Sequence, residues 1–168
     1  MKKIIIFAII TIIGTACTVS YKFTGSNIDY TKTPTINIKD FQNQAAMVYA
    51  PLTQVFNERM KDVFIKGTKL QLTDIAPSLE IEGEIIRYDL TPLSVKENNL
   101  ASETRLTMAV RFRFRNNVNP AEDRPDETIS AYRDFDANLM LNDVQDRLIE
   151  ELTKDIVDQI FNATMSNW

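Results

Sequence analysis

The strongest constraint on the fold is a pair of alternating segments in the middle of the chain. Residues 79–85 read Leu-Glu-Ile-Glu-Gly-Glu-Ile, which places three carboxylates on one face of an extended strand. Residues 106–115 place apolar side chains on one face and three arginines on the other. An antiparallel hairpin whose paired residue numbers sum to 195 sets opposite charges together on one side and apolar groups together on the other. The predicted charged pairs are Glu80 with Arg115, Glu82 with Arg113 and Glu84 with Arg111.

The alternation changes phase within the first of these two strands. Beyond Ile85 the apolar positions are Ile86, Tyr88 and Leu90, one residue out of step with those before. A one-residue β-bulge at Ile85–Ile86 restores the pairing of apolar side chains. We therefore expect Tyr88 to face Met108 and Leu90 to face Leu106.

Two segments have the spacing of amphipathic helices. Pro51 stands where a first helical turn begins and Gly67 just past its end, and apolar residues between them recur every three or four positions. A longer segment near the C-terminus repeats apolar residues every four positions from Val144 to Ile160. Asn142 and Gln145 have the spacing of a capping box at its start.

Shorter segments complete the predicted order of elements. Residues 35–40 and 69–73 are short strand candidates, and residues 127–136 are a further strand after a polar loop that contains Pro120 and Pro125. The resulting order is β-α-β-β-β-β-α. The sequence predicts an α+β domain in which two amphipathic helices pack on one face of a largely antiparallel four- to five-stranded sheet.

The N-terminus has the features of an exported lipoprotein. Two lysines precede the apolar run Ile4–Ile13, which is too short to span a bilayer, and small residues lead directly to Cys17. Small residues ending in Cys resemble a lipobox, although Gly14 stands where an aliphatic residue is usual. We predict a signal peptide over residues 1–16, an acylated Cys17, a tether over residues 17–34 and one domain over residues 35–168. The alternative is an ordinary secreted protein with an unpaired thiol.

Composition excludes many familiar chemistries. The chain has no histidine, one cysteine and four glycines, so histidine-based catalysis, disulfide frameworks and glycine-rich phosphate loops are absent. The net charge is −4, and it becomes −6 once Lys2 and Lys3 are removed with the signal peptide, which does not favour nucleic-acid binding. Asp134, Asp136, Asp143 and Asp146 lack the spacing of a calcium loop. We predict no catalytic residue, no metal site and no cofactor.

Arginines on the second strand are the best candidates for ligand binding. Guanidinium groups bind phosphates and carboxylates through paired hydrogen bonds, and here they would stand beside apolar side chains. Such a sheet can hold an amphiphile that carries phosphorylated sugars. The plainer interpretation is a solvated charge ladder with the glutamate row. The candidates are Arg105, Arg111, Arg113 and Arg115, with Arg87 and Arg133 as further arginines that can lie near them.

Several stretches, in this order, resemble the LptE-like lipopolysaccharide-assembly lipoproteins of Bacteroidota. They are residues 41–46, 79–85 with 90–92, 101–108, 130–136, 159–164 and the final Asn167–Trp168. The resemblance implies an outer-membrane lipoprotein that faces the periplasm and has no enzymatic activity. It further implies a partner, the LptD-type transmembrane β-barrel, which the lipoprotein plugs and helps to assemble, and lipopolysaccharide as the cargo. The fold implied by the family agrees with the one predicted from periodicity.

Three hypotheses therefore follow. The first is a non-enzymatic assembly subunit of a lipopolysaccharide translocon. The second is a stand-alone lipoprotein that binds an amphiphile or glycan on the periplasmic side without a barrel partner. The third is a hydrolase that uses the carboxylates Glu80, Glu82 and Glu84.

Overall fold

The computed structural model of the protein describes residues 28–93 and 103–165. The predicted signal peptide, Cys17, the first part of the tether, the tip of the central hairpin and the last three residues lie outside this range. The elements are β1 (Thr35–Ile38), β2 (Gln42–Asn43), α1 (Ala50–Gly67), β3 (Gln71–Leu72), β4 (Leu79–Pro92), β5 (Glu103–Asn116), β6 (Arg124–Asp136) and α2 (Leu141–Met165), with a 3-10 turn at Pro120–Glu122 between β5 and β6.

The central hairpin has the predicted register. Strands β4 and β5 are antiparallel, and Glu82 lies opposite Arg113, Ile85 opposite Val110 and Tyr88 opposite Met108. The register shifts between Ile85 and Arg87, so Ile86 is the extra residue of the predicted bulge. Alternation and complementary charges together therefore predicted the register and the bulge of the two longest strands.

The rest of the sheet is more mixed than predicted. The strand order is β3-β1-β4-β5-β6, and β2 also pairs with β4. Strand β1 pairs in parallel with both β3 and β4, and β2 pairs in parallel with β4. The sheet of the described residues has six strands, where four or five are expected. The two-residue strand β2 was not predicted, because two residues carry no periodicity. The α+β class and the placement of both helices on one face are confirmed.

Strand β6 begins earlier than its sequence predicts. It starts at Arg124, three residues before the expected Glu127, and includes Pro125. Its register against β5 shifts between Phe112 and Phe114, so that Pro125 and Asp126 of β6 both lie beside Arg113 of β5. That irregularity disrupts the alternation and accounts for the misplaced boundary.

The two helices run in the same direction across the sheet. At one end the Tyr49 hydroxyl, just before α1, donates to Asp146 in α2 at 2.6 Å. Towards the other end the rings of Phe64 and Phe161 are in edge contact with centroids 5.1 Å apart. The buried stripe of α1 comprises Leu52, Phe56, Met60 and Phe64, as its spacing predicts.

The start of α2 differs from the predicted capping box. The helix begins at Leu141, so Asn142 lies within the first turn, and Gln145 is buried. The Gln145 amide donates to the Tyr88 hydroxyl at 2.8 Å. This buried hydrogen bond joins α2 to β4, and it is a tertiary contact rather than a helix cap.

The last part of the predicted tether packs against the domain. Ile28 is buried in the hydrophobic core cluster. The backbone oxygen of Asp29 accepts hydrogen bonds from the Thr33 amide and hydroxyl. Residues 28–33 therefore form an ordered turn on the body of the domain.

Candidate binding face

The face of the sheet that points away from the helices carries the charged rows. On β4 and β5 the apolar residues that alternate with these charges are turned toward the helices, and Ile81, Val110 and Phe114 are at most 1% exposed. We call the opposite side of β4, β5 and β6, together with Lys39, the outer face. It holds all four candidate arginines, Arg105, Arg111, Arg113 and Arg115.

Glu82 is the centre of the charge network on the outer face. It accepts from Lys39 at 2.7 Å and lies 3.5 Å from Arg113 and 3.4 Å from Arg115. The hydrogen bond from Lys39, together with the charges of the two arginines, lowers the pKa of Glu82 against the opposing effect of burial. A carboxyl in this environment is ionised at neutral pH and is a poor general acid.

One predicted charged pair is replaced by a neighbour. Glu80 and Arg115 are opposite in the register, but the Arg115 guanidinium contacts Glu82. Glu80 instead accepts from the Asn117 side chain at 2.9 Å. A long arginine side chain reaches diagonally along the strand, so register alone does not fix its partner.

Arg111 and Arg113 on β5 also form contacts with carboxylates. Arg111 hydrogen-bonds Glu84, as predicted, and this contact raises the pKa of the guanidinium. Arg113 contacts Asp126 of β6 at 2.9 Å in addition to Glu82. A contact with β6 could not be predicted without the register of that strand.

Arg105 has the most elaborate environment of the four. Its Nε and Nη2 atoms donate to the two oxygens of Asp134 at 2.7 and 2.9 Å, a two-point contact that lowers the pKa of Asp134. Its guanidinium carbon also lies 3.7 Å from the centroid of the Tyr132 ring, which is 53% exposed. Tyr132 and Asp134 were not predicted as neighbours of this arginine. The period-two spacing of the two residues along β6 is the signal that places them on one face.

Arg87 and Arg133 lie on opposite faces of the sheet. Arg87 pairs with Asp89 at 2.7 Å and lies opposite Ala109, on the outer face. Arg133 lies on the helix side of β6, where it contacts Glu151 at 2.8 Å and Asp155 at 2.5 Å. The expectation that Arg133 can lie near the other arginines is therefore wrong, because its strand parity turns it toward α2.

A shallow depression of about 480 Å³ lies in the outer face. Its charged lining includes Lys39, Glu82, Arg111, Arg113 and Asp126. Lys39, Arg111 and Arg113 each already contact a carboxylate, so an anionic ligand would have to exchange with these carboxylates. The arginine side chains of the four candidates are between 33% and 49% exposed, which leaves their donors within reach of such a ligand.

Carboxylates elsewhere serve local roles. Asp136 accepts from the backbone and side chain of Asn138, and Asp146 accepts from Tyr49. Within residues 28–93 and 103–165, no group of three or more Asp, Glu or Cys side chains is arranged to hold a metal ion. In the same ranges, neither helix is long and apolar enough to cross a bilayer.

The described residues form an α+β domain with two helices on one side of the sheet and a charged outer face on the other. The family model described as LptE, lipopolysaccharide-assembly, matches residues 33–164. The chain therefore belongs to the LptE lipopolysaccharide-assembly family. No curated protein sequence matches the chain.

Solved structures share the fold at low sequence identity. A minor lipoprotein of Acinetobacter baumannii matches with a TM-score of 0.54 at 16% identity, over 80% of this chain and 94% of that one. A hypothetical protein of Chlamydia trachomatis matches with a TM-score of 0.58 at 11% identity, over 80% and 99%. The rare lipoprotein B of Shewanella oneidensis matches with a TM-score of 0.50 at 19% identity, over 77% and 94%. These likenesses establish the architecture.

Proposed function

We propose that the protein is an outer-membrane lipoprotein subunit of a lipopolysaccharide translocon, which plugs and helps to assemble a transmembrane β-barrel of the LptD type. The observation that carries the proposal is the family match over residues 33–164, which spans almost the whole domain. The role is one of binding and scaffolding rather than catalysis. A compact domain with an apolar core and one charged face suits a plug, because it keeps its own fold while presenting a polar surface to a water-filled lumen.

The anchor belongs to the same proposal. Residues 1–16 are removed, Cys17 is acylated, and the domain is held on the periplasmic side of the outer membrane. The segment from Cys17 to the ordered Ile28 reaches at most roughly 40 Å when fully extended. The domain therefore stays within about one domain length of the bilayer surface.

The outer face is the proposed contact for lipopolysaccharide. Arg105, Arg111, Arg113 and Arg115 present guanidinium groups along one strand, and phosphate oxygens match the geometry of the carboxylates that now occupy them. The exposed ring of Tyr132 beside Arg105 adds an apolar surface on which a sugar can stack. Exchange of carboxylate for phosphate makes the binding reversible, as transfer of a cargo requires.

Depletion of the protein in cells tests the translocon role. We expect loss of surface lipopolysaccharide, increased permeability to large antibiotics, and co-purification of a β-barrel with the acylated protein after mild detergent extraction. Extraction as a free, monomer-sized species would favour a stand-alone amphiphile-binding lipoprotein. Normal surface lipopolysaccharide after depletion would overturn the translocon role.

Substitution of the arginines tests the outer face. Changing Arg105, Arg111, Arg113 and Arg115 to Gln together should weaken binding of purified lipopolysaccharide by about tenfold or more, since charge-assisted contacts are lost. The matched control is Arg147→Gln, which removes an exposed arginine on the helix side that pairs with Glu151. Equal binding by the quadruple variant and the control would remove the outer face from the proposal.

Replacement of Cys17 tests the anchor. Cys17→Ala should give a folded domain that is released from the membrane fraction, because acyl chains supply the attachment. Cys17→Ala protein that remains in the membrane fraction after a salt wash would refute acylation at this residue.

A further inference from the structure

Among the described residues, one end of the domain exposes several apolar side chains. It is the end at which the central hairpin extends toward its tip and at which both helices begin. The residues are Val48 before α1 (79% exposed), Leu90 near the end of β4 (39%), and Leu139 (47%) and Met140 (75%) before α2. We call these four residues the end patch. Groups of exposed apolar side chains mark surfaces that bind another molecule.

Hydrogen bonds between the elements hold this end together. The Tyr49 hydroxyl, at the start of α1, donates to Asp146 in α2 at 2.6 Å. The Tyr88 hydroxyl, on the same side of β4 as Leu90, accepts from the Gln145 amide at 2.8 Å. The start of α1 and the last part of β4 are therefore both fixed against the first two turns of α2, and the end patch is a surface with a defined shape.

Apolar or aromatic residues stand at both helix starts, where small polar residues stabilise a helix better. The residue before the first turn is usually Ser, Thr, Asp or Asn, because its side-chain oxygen accepts a hydrogen bond from a backbone amide. Tyr49 occupies this position in α1 and its side chain makes no such bond. Met140 directly precedes the first residue of α2. Helix stability does not favour these residues, which supports a role of the end patch in binding.

The end patch adjoins the outer face close to Arg105. The Leu139 amide donates to the carbonyl oxygen of Asp136 at 3.0 Å. Asp136 lies two residues beyond Asp134, which is the carboxylate partner of Arg105 at 2.7 Å. The exposed ring of Tyr132 lies against the same guanidinium group. A ligand that is complementary to both surfaces has an anionic part beside an apolar part, which is the chemistry of an acidic amphiphile.

We propose that the end patch binds the acyl chains of a lipopolysaccharide molecule whose phosphate groups contact the outer face at Arg105. The identity of the ligand rests on the proposed function. The molecule lies across the edge between the two surfaces, with its sugars and phosphates on the sheet and its acyl chains over Leu139 and Met140. Contact with the end patch removes apolar surface of both partners from water, so it favours the acylated form of the ligand.

Site-specific photocrosslinking in cells tests the contact directly. A photoreactive amino acid in place of Met140 should crosslink the full-length protein to lipopolysaccharide. The control position is Ile75, which is 84% exposed and precedes β4 at the opposite end of the domain. Equal crosslinking from both positions overturns the proposal.

A photoreactive amino acid in place of Tyr132 tests the outer face separately. Lipopolysaccharide that is crosslinked from position 132 but not from position 140 overturns the end patch alone. If neither position crosslinks lipopolysaccharide, the outer-face contact and the end patch both fall.

A double substitution separates the acyl contact from the phosphate contact. Leu139→Ser with Met140→Ser, in the full-length protein held in phospholipid nanodiscs, should weaken binding of complete lipopolysaccharide about tenfold. It should leave binding of the deacylated, phosphorylated form unchanged, and the control Ile75→Ser should leave both affinities unchanged. Wild-type affinity of the double variant for complete lipopolysaccharide would overturn the proposal, as would an equal loss for the two ligands.

Val48→Ser is an independent variant of the same patch, in case the double variant does not fold. It removes one apolar side chain that is 79% exposed, so we expect an unchanged melting temperature. Binding of complete lipopolysaccharide should fall about threefold, and binding of the deacylated form should not change. A folded Val48→Ser protein that binds complete lipopolysaccharide as the wild type does would also overturn the proposal.

Discussion

The two faces of the β4–β5 hairpin are stabilised by different physics, although they alternate along the same residues. On the helix side, Phe112 and Phe114 are 1% exposed and pack in the core, where removal of apolar surface from water supplies the free energy. On the outer face, Arg111, Arg113 and Arg115 pair with carboxylates in contact with solvent, where each pair contributes only about 0–1 kcal/mol. One face therefore maintains the fold, and the other can change its partners without unfolding the domain.

Phe112→Ala should have the largest effect on stability. The substitution empties a core position opposite Gly83 and is expected to lower the free energy of unfolding by about 3–5 kcal/mol. Urea unfolding followed by circular dichroism measures it. Val118→Ala, at a position that is 49% exposed, is the control and should change stability by less than about 0.5 kcal/mol. Similar losses for both variants would contradict the assignment of the core to the helix side.

Gly83→Ala tests how closely the core packs against the hairpin. A methyl group at this position would lie 2.4 Å from the Arg111 carbonyl oxygen and 2.4 Å from a ring carbon of Phe41. Because a backbone atom cannot move aside, we expect a loss of about 1–3 kcal/mol in the same unfolding measurement. Gly67→Ala is the control, since the three atoms nearest to its methyl all belong to the Phe161 side chain, the nearest at 2.9 Å, and a side chain can shift where a backbone atom cannot. A loss at Gly67 as large as that at Gly83 would argue against a backbone clash.

Tyr88→Phe tests the buried hydrogen bond between β4 and α2. The change leaves the Gln145 amide without its acceptor, and we expect a loss of about 1–2 kcal/mol. The paired variant Tyr132→Phe removes a hydroxyl from an exposed ring on the outer face and should have almost no effect on stability. An unchanged free energy of unfolding in Tyr88→Phe would indicate that water replaces the lost hydroxyl.

Arg111→Gln should have a small effect, although the residue is adjacent to Phe112. The variant breaks the exposed contact with Glu84, so we expect a loss smaller than that of Tyr88→Phe, and raising the salt concentration should reduce it further. A loss as large as that of Phe112→Ala that does not depend on salt would show that the outer face also maintains the fold.

The dependence of stability on pH should report mainly on ion pairs of this kind. Contacts with Lys39 lower the pKa of Glu82, and contacts with Arg105 lower that of Asp134, in each case below the ordinary values of 4.5 and 3.8. The unfolded chain therefore binds protons more readily, and stability should fall as the pH drops below about 4.5 and continue to fall through the lower folded values. Thermal denaturation between pH 3 and 7 measures this effect. Glu82→Gln should make the acid branch of the curve shallower, and an unchanged branch would exclude Glu82 as a contributor.

The regions that could be predicted from the sequence are those in which neighbouring residues carry the information. The register of β4 and β5, including the bulge at Ile86, followed from alternation and from complementary charges. The helices and the buried stripe of α1 followed from spacings of three and four. Strand β2, the parallel pairing of β1 and the early start of β6 carry no such local signal, and they were missed or misplaced.

The candidate site shows the same division. Strand parity by itself placed Arg105, Arg111, Arg113 and Arg115 on one face, because alternate residues of a strand point to the same side. Only the tertiary structure decided their partners, since Asp126 and Asp134 reach the arginines through the pairing of β5 with β6. It also turned Arg133 toward α2. Period and charge are properties of short segments, whereas contacts between distant segments depend on how the whole domain packs.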